Sequence, residues 1–154
     1  MATRTAKVWT ALDVATAADL NKLAGGWIGY AQNSVDQTGI TGTVDVTSCT
    51  VTTTVGTSRY IKISGWAHVT TVGTCTYYIE IHQDGVAVGR IARETAIVTA
   101  TTTLMNGSAM VVAPSAGSHT YKLVAVLSSG TSLTIEGGTT VASATILVED
   151  CGAV

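Results

Sequence analysis

From residue 44 onward, apolar and polar positions alternate. In VDVTSCTVTTTV (44–55), Cys49, Val51 and Val55 fall on one face, and Thr50, Thr52 and Thr54 on the other. In RYIKISGWAHV (59–69), Ile61, Ile63, Ala67 and Val69 oppose Tyr60, Lys62, Ser64, Trp66 and His68. CTYYIEIH (75–82) sets Cys75, Tyr77, Ile79 and Ile81 against Tyr78, Glu80 and His82. A period of two marks half-buried β-strands, because successive side chains point to opposite faces. Thr and Val reinforce the signal, since their restricted χ1 suits extended backbone. Further strands are predicted at 97–105, 109–113, 120–127, 132–136 and 143–150, while RIARETA (90–96) is open to a helical turn.

Turn signals separate these runs. QDGV (83–86) carries an Asp-Gly pair, a strong hairpin signal because the turn needs positive φ. VGTS (55–58), TVGT (71–74), MNGS (105–108), PSAGS (114–118) and SSGTS (128–132) are read as further turns. The count and spacing predict an all-β jelly-roll sandwich of about 8–10 antiparallel strands.

Two runs lose their alternation. TYKLVAVL (120–127) and SATILVED (143–150) become apolar on both faces. A strand apolar on both faces needs cover on its outer side. For the last strand, with Ile146, Leu147 and Val148, the simplest cover is the same strand of a neighbouring copy. A closed ring is the default for identical subunits, so a trimer is expected with its seam near the C-terminal strand.

The N-terminal region breaks the pattern. TALDVATAADLNKLAGG (10–26) reads as one short helix. Thr16 and Asp19 form a T-x-x-D variant of the capping box, and Gly25-Gly26 stops the helix. Leu20, Leu23 and Ala24 make a narrow apolar stripe. At about two turns such a helix does not persist alone in water. Burying Leu20 and Leu23 contributes roughly 1.5–3 kcal/mol each, so docking must hold it. Upstream, KVWTAL sets Val8, Thr10 and Leu12 opposite Trp9. The division expected is an arm with an anchoring helix at 1–26 and a jelly-roll domain at 27–154. Val8, Trp9, Leu12, Thr16, Asp19, Leu20 and Leu23 are the expected contact residues, packing either on a neighbouring protein or on the chain's own sandwich.

Composition narrows the function. Charged residues are 12% of the 154 residues, against about 25% in a typical domain. The net charge is −2, and the eight Lys and Arg residues are scattered. That argues against nucleic-acid binding, which needs clustered cations. Mean hydropathy is +0.39 despite abundant Thr, Ser and Gly, which suggests apolar surface covered by partner subunits. MATRTAKVWT lacks the apolar core of a secretory signal, and no run supplies the ~20 apolar residues of a membrane span. Cys49, Cys75 and Cys151 lack metal-type spacing and are read as small buried hydrophobes.

Catalytic patterns are missing. The chain has no G-x-S-x-G, P-loop or H-E-x-x-H motif. Glu80 and His82 share a face, but two ligands fall short of a zinc site. Asp84 is accounted for by its turn, and His119 by a loop or strand entry. Glu149 and Asp150 are adjacent and so point to opposite faces. No enzyme activity, metal or cofactor is expected. The more suggestive set is outward and aromatic. Tyr60, Trp66 and His68 on one strand, with Tyr78 and His82 on the next, form one patch if the two strands pair through the 71–74 turn. Such a patch suits a subunit seam, a glycan or receptor platform, or a face covered by a loop.

Several stretches together resemble virion proteins of bacteriophages, especially phages of actinobacteria. They are Trp9, Asp13 and Thr16-Ala17-Ala18-Asp19-Leu20-Asn21, then GWIGYA (26–31), QTGIT (37–41), VGTSRYIKISG (55–65), PSAGSHTYKL (114–123) and ILVEDCG (146–152). The chain departs from that pattern at Ala11-Leu12, where a glycine-containing turn is common. The resembled proteins are minor tail, tail-fibre or head-decoration proteins with a trimeric jelly roll of the C1q and tumour-necrosis-factor type. The resemblance implies a homotrimeric knob attached to capsid or tail through its N-terminal segment, with other virion proteins as partners. It also implies assembly in the bacterial cytoplasm without membrane insertion. The alternative it leaves open is a fibre-tip module that binds a host receptor or cell-surface glycan. One knob and one small plug without a shaft suit a compact appendage better than a long fibre.

Overall fold

In RYIKISGWAHV the residues of one parity, Ile61, Ile63, Ala67 and Val69, are completely buried, as the alternation predicts. The computed structural model describes residues 26–96, 102–112, 114–138 and 143–153. Among these it forms ten strands: β1 (Gly26–Gln32), β2 (Gln37–Ile40), β3 (Thr43–Val55), β4 (Arg59–Val72), β5 (Cys75–Gln83), β6 (Val86–Ala96), β7 (Thr102–Val112), β8 (Gly117–Ser129), β9 (Ser132–Ile135) and β10 (Thr145–Ala153). The expected helix at 10–26 lies outside the described residues apart from Gly26, which opens β1. Val8, Trp9, Leu12, Thr16, Asp19, Leu20 and Leu23 lie outside them too.

The strands make two antiparallel sheets. In the first, β4 is long enough to take β10 along its first half and β9 along its second. β1 pairs with β10, β2 with β9, and β7 runs along the opposite edge of β4. The second sheet has the order β3-β8-β5-β6. Apart from the short β2 and β9, the remaining strands pair first with last: β1 with β10, β3 with β8, β4 with β7, and β5 with β6. Successive pairs alternate between the two sheets. This is a long two-stranded ribbon wound into a double-sheet, jelly-roll-like sandwich.

The core between the sheets is built from the inward positions. Tyr77, Ile79 and Ile81 of β5 and Tyr121, Leu123 and Ala125 of β8 are fully buried, as are Leu133, Ile135, Ile146 and Val148 from the first sheet. Cys49 and Cys75 are buried with them as thiols. Burial pushes the Cys49 thiol up to about 11, and its sulfur donates to the Ala144 carbonyl at 3.2 Å. Both behave as small core hydrophobes, as expected.

Three local expectations are corrected, and one strand carries an irregularity that the alternation did not signal. MNGS (105–108) is not a turn: Asn106 and Gly107 sit inside β7, opposite Trp66 and Gly65. A Cβ on Gly107 would lie 2.7 Å from the Ile91 carbonyl oxygen, and one on Gly65 would lie 2.7 Å from a Leu123 methyl. These glycines make room for side chains rising from the other sheet, which is a second use of glycine in a strand. RIARETA is extended within β6, where Tyr78 pairs with Arg93 and Ile79 with Ala92. β3 carries an irregularity between Asp45 and Thr50, with Ser48 at φ 61°. It brings both Val46 and Cys49 into the core despite their opposite parity. The third correction concerns the 71–74 turn. Gly73 does turn the chain at φ 73°, but the turn carries it from the first sheet to the second, so β4 and β5 are not paired.

Candidate functional site

The crossover at Gly73 splits the expected aromatic patch. Tyr60, Trp66 and His68 stand on the outer face of the first sheet, Tyr78 and His82 on the outer face of the second. The first sheet nevertheless assembles a patch of its own. Across the strands, Tyr30 stands opposite Leu147, Leu147 opposite Ser64, and His68 opposite Leu104. Trp27 stands opposite Glu149, at the edge of the same face. Trp27 is 72% exposed, Tyr30 56% and Leu104 51%. Charges on this face are few: Lys62 Nζ lies 3.1 Å from Glu149 Oε2, and the Glu136 carboxylate accepts from the Thr70 hydroxyl. The Tyr30 hydroxyl donates to the Gln32 side-chain carbonyl.

Trp27 and Tyr30 were missed by the alternation, for a clear reason. Three residues apart, they have opposite parity and belong on opposite faces of a regular strand. A register shift between Trp27 and Gly29 turns both outward. Gly29 then faces inward, where a Cβ would collide with Val51.

Of the C-terminal trio, only Leu147 reaches the outer face. Ile146 and Val148 point into the core and are fully buried. The sequence expected the apolar centre of this strand to be covered by another copy. For these two residues the cover is the chain's own second sheet. β10 itself is flanked on both edges, by β1 and β4.

The outer face of the second sheet is polar and paired across β3, β8 and β5, while Val86 and Val88 of the edge strand β6 are exposed. The Arg90 guanidinium lies 3.7 Å from the centre of the Tyr78 ring and 3.2 Å from Glu80 Oε1. His82 Nε2 meets the other Glu80 oxygen at 3.1 Å. Lys122 pairs with Asp45, and the hydroxyls of Thr52 and Thr120 are 3.0 Å apart. Val124 and Val126, the apolar outward residues of β8, are buried. In register, Asp45 and Glu80 flank Val124, and Thr43 and Tyr78 flank Val126. Their cover therefore comes from neighbouring strands of the same chain.

A third cluster closes one end of the sandwich. His119 is buried, with Nδ1 2.7 Å from Asp84 Oδ2 and Nε2 2.7 Å from the Ser115 carbonyl oxygen. Asp84 and Gly85 are the positive-φ pair of the β5–β6 turn, as the Asp-Gly signal implies, and Asp84 Oδ1 also accepts the Thr120 N–H at 2.9 Å. That bond, with His119, holds the Asp84 carboxyl below its usual 3.8. In the sequence each residue has a separate local role; the pair is 35 positions apart and has no local signal. Ser115 Oγ is 3.4 Å from Nε2, so Asp, His and Ser stand in the order of a hydrolase triad. While Nε2 is protonated and donates to the Ser115 carbonyl, the ring is not available as base for that serine. At the same end, Arg59 Nε lies 3.0 and 2.9 Å from the two Asp150 carboxylate oxygens, and Gly152 N–H donates to Oδ1 at 2.8 Å. Asp150 thus binds inward while Glu149 pairs outward with Lys62, as adjacent strand residues must.

Among the described residues, no group of three His, Cys, Asp or Glu is placed to hold a metal ion. No helix among them is long and apolar enough to cross a membrane.

The fold and these surfaces define a jelly-roll-like β-sandwich with one aromatic and one polar outer face. No family model matches the chain, and no curated protein does. Among solved structures, it is similar to latent PorU from Porphyromonas gingivalis at 7% identity and a TM-score of 0.46, over 86% of this chain and 13% of that one. It is also similar to the VP2 protein of infectious bursal disease virus at 16% identity and a TM-score of 0.46, over 84% of this chain and 37% of that one. A CBM4 structure aligns at 12% identity and a TM-score of 0.26, over 79% of this chain and 91% of that one. The chain thus spans about an eighth of the PorU chain and just over a third of VP2. None of these likenesses assigns a functional residue to this chain.

Proposed function

We propose that the chain is a structural component of a bacteriophage virion: a homotrimeric jelly-roll knob joined to the capsid or tail through residues 1–26. The observation that carries this reading is the outer face of the first sheet. Tyr30, Leu147, Trp66, Tyr60, His68 and Leu104 lie on one side of adjoining strands, where Lys62 and Glu149 form an ion pair. A face of this kind suits contact with copies of itself, because a closed ring brings one patch into every interface. The Thr16–Asn21 motif and the other resembled stretches support the virion setting. The reading assigns no catalysis, cofactor, nucleic acid or membrane insertion.

The second reading is a receptor- or glycan-binding tip. It is favoured by Trp27, 72% exposed beside Tyr30, since flat aromatic rings with a polar edge suit a partly wet contact.

Native mass measurement of the full chain, combined with incorporation into particles, tests the first reading. The expected result is a three-copy mass, and a variant lacking residues 1–26 that is folded and trimeric but absent from particles. A monomeric full chain, or a truncated chain that still joins particles, overturns it. Loss of host adsorption on Trp27→Ala, with mass and incorporation unchanged, favours the second reading.

A further inference from the structure

The end of the sandwich at which the chain enters β1 gathers several loops. Gly26 pairs with Asp150 there, and Val55 pairs with Gly117. The β5–β6 turn closes beside them, its Asp84 N–H donating to the Thr120 carbonyl at 2.8 Å. His119 lies between that turn and the segment leading into β8.

We propose that His119 is a proton-dependent latch, whose doubly protonated ring holds residues 114–117 onto the β5–β6 turn and releases one of the two when a proton leaves. The geometry requires both protons. Asp84 Oδ2 and the Ser115 carbonyl are each 2.7 Å from a different ring nitrogen, and both are acceptors. A neutral imidazole has one N–H and can satisfy only one of them. Asp84 is fixed independently through Thr120, so it does not follow the ring. On the other side, Pro114 is buried while Ser115 and Ala116 are exposed, which leaves the Ser115 carbonyl as the handle on this segment.

The groups around the ring agree with this. From the β5–β6 turn comes the Asp84 carboxylate, and from the end of β5 the neutral Gln83 amide, 3.3 Å from Nδ1. Along β8 lies Tyr121, with ring centroids 6.3 Å apart. Its buried phenol is pushed up to about 12 and stays neutral across the relevant range. From β3, Thr53 stands opposite His119 and carries no charge. Asp84 is thus the charge that faces the ring. Its hydrogen bond, with that of Ser115, raises the imidazole above its usual 6.5 against the opposing effect of burial.

The sign follows from linkage. A folded-state value raised above the unfolded one gives stability fully present below 6.5 and lost as pH rises through the folded value. Asp84, lowered from 3.8, contributes stability present above that value and lost as pH falls through its folded value. The latch is therefore closed between the two and opens on the alkaline side.

Nuclear magnetic resonance titration of the full chain tests this. The expected result is a His119 midpoint above 6.5, with the amides of Ser115, Ala116 and Gly117 shifting at the same midpoint. Asp84→Asn should lower that midpoint. A wild-type midpoint at or below 6.5, or amides that do not follow the ring, overturns the proposal. The wild-type titration decides the matter even where the variant fails to fold.

Discussion

The two outer faces are built from the same kind of strand, yet they meet the solvent differently. On the second sheet the long side chains along β5 and β8 have partners in the same chain: Arg90 on Tyr78 and Glu80, His82 on Glu80, Lys122 on Asp45. On the first sheet, beside the Lys62–Glu149 pair, stand large apolar and aromatic residues, and Trp27, Tyr30 and Leu104 are left exposed. A surface that completes itself and one that does not are different objects, although alternation alone makes them look alike. The difference lies in what stands across the strand. Tyr78 shares its face with Arg90 and Glu80, while Tyr30 faces Leu147.

The largest expected effect tests this contrast through assembly. Leu147→Asp places a charge at the centre of the aromatic face, beside Tyr30 and Ser64. It should abolish the three-copy mass while leaving a folded chain. Tyr78→Asp, the matched insult to the polar face, should leave the mass unchanged. Sedimentation of the two variants side by side checks both. If Tyr78→Asp dissociates the protein and Leu147→Asp does not, the assignment of faces is reversed.

How much of this was legible in the sequence depends on how local the cause was. The inward positions of β4 and β5 were readable because each strand has one face on the core, and side-chain parity reports that directly. Which sheet each strand joins was not. Gly73 supplies positive φ whether the chain folds back within a sheet or crosses to the other, so the residue type cannot distinguish the two. The outward placement of both Trp27 and Tyr30 was hidden by a register shift, which inverts parity without leaving a composition signal. Asn106-Gly107 carried a turn signal inside a strand, because the space Gly107 provides is needed by Ile91, a residue of the opposite sheet. The link of Asp84 to His119 is non-local for a similar reason: β5 and β8 become neighbours only once the ribbon is wound.

The next effect concerns charges at different depths. Arg59 and Asp150 have side chains only 10% and 16% exposed, whereas Asp45, the partner of Lys122, is 56% exposed. Removing one partner of a buried pair strands the other, at a cost of about 3–5 kcal/mol. An exposed pair is worth about 0–1 kcal/mol. Chemical denaturation should therefore show a large loss for Arg59→Ala and a small one for Lys122→Ala. Equal losses would mean that the polar face contributes to folding as much as the end of the first sheet does.

The smallest expected effect lies beneath the aromatic face. Gly65 and Gly107 stand opposite each other in the first sheet, with Trp66 and Asn106 as the next pair along the two strands. They thin the sheet so that Ile91 and Leu123 can rise from the second sheet towards its backbone. A methyl at Gly107 would meet the Ile91 carbonyl oxygen at 2.7 Å and its Cγ2 at 2.8 Å. The backbone of β6 is one of the two obstacles, so a rotamer change alone cannot relieve the clash. Overpacking of this kind costs about 1–3 kcal/mol. Gly107→Ala should lower the thermal midpoint accordingly, while Ser108→Ala, on the outer face of the same strand and away from the core, should stay within about 0.5 kcal/mol of wild type. If Gly107→Ala also weakens assembly, the spacing of the sheets sets the shape of the aromatic face. If it lowers stability and leaves the mass intact, the face is held by its own strands and the glycine pair serves only the core.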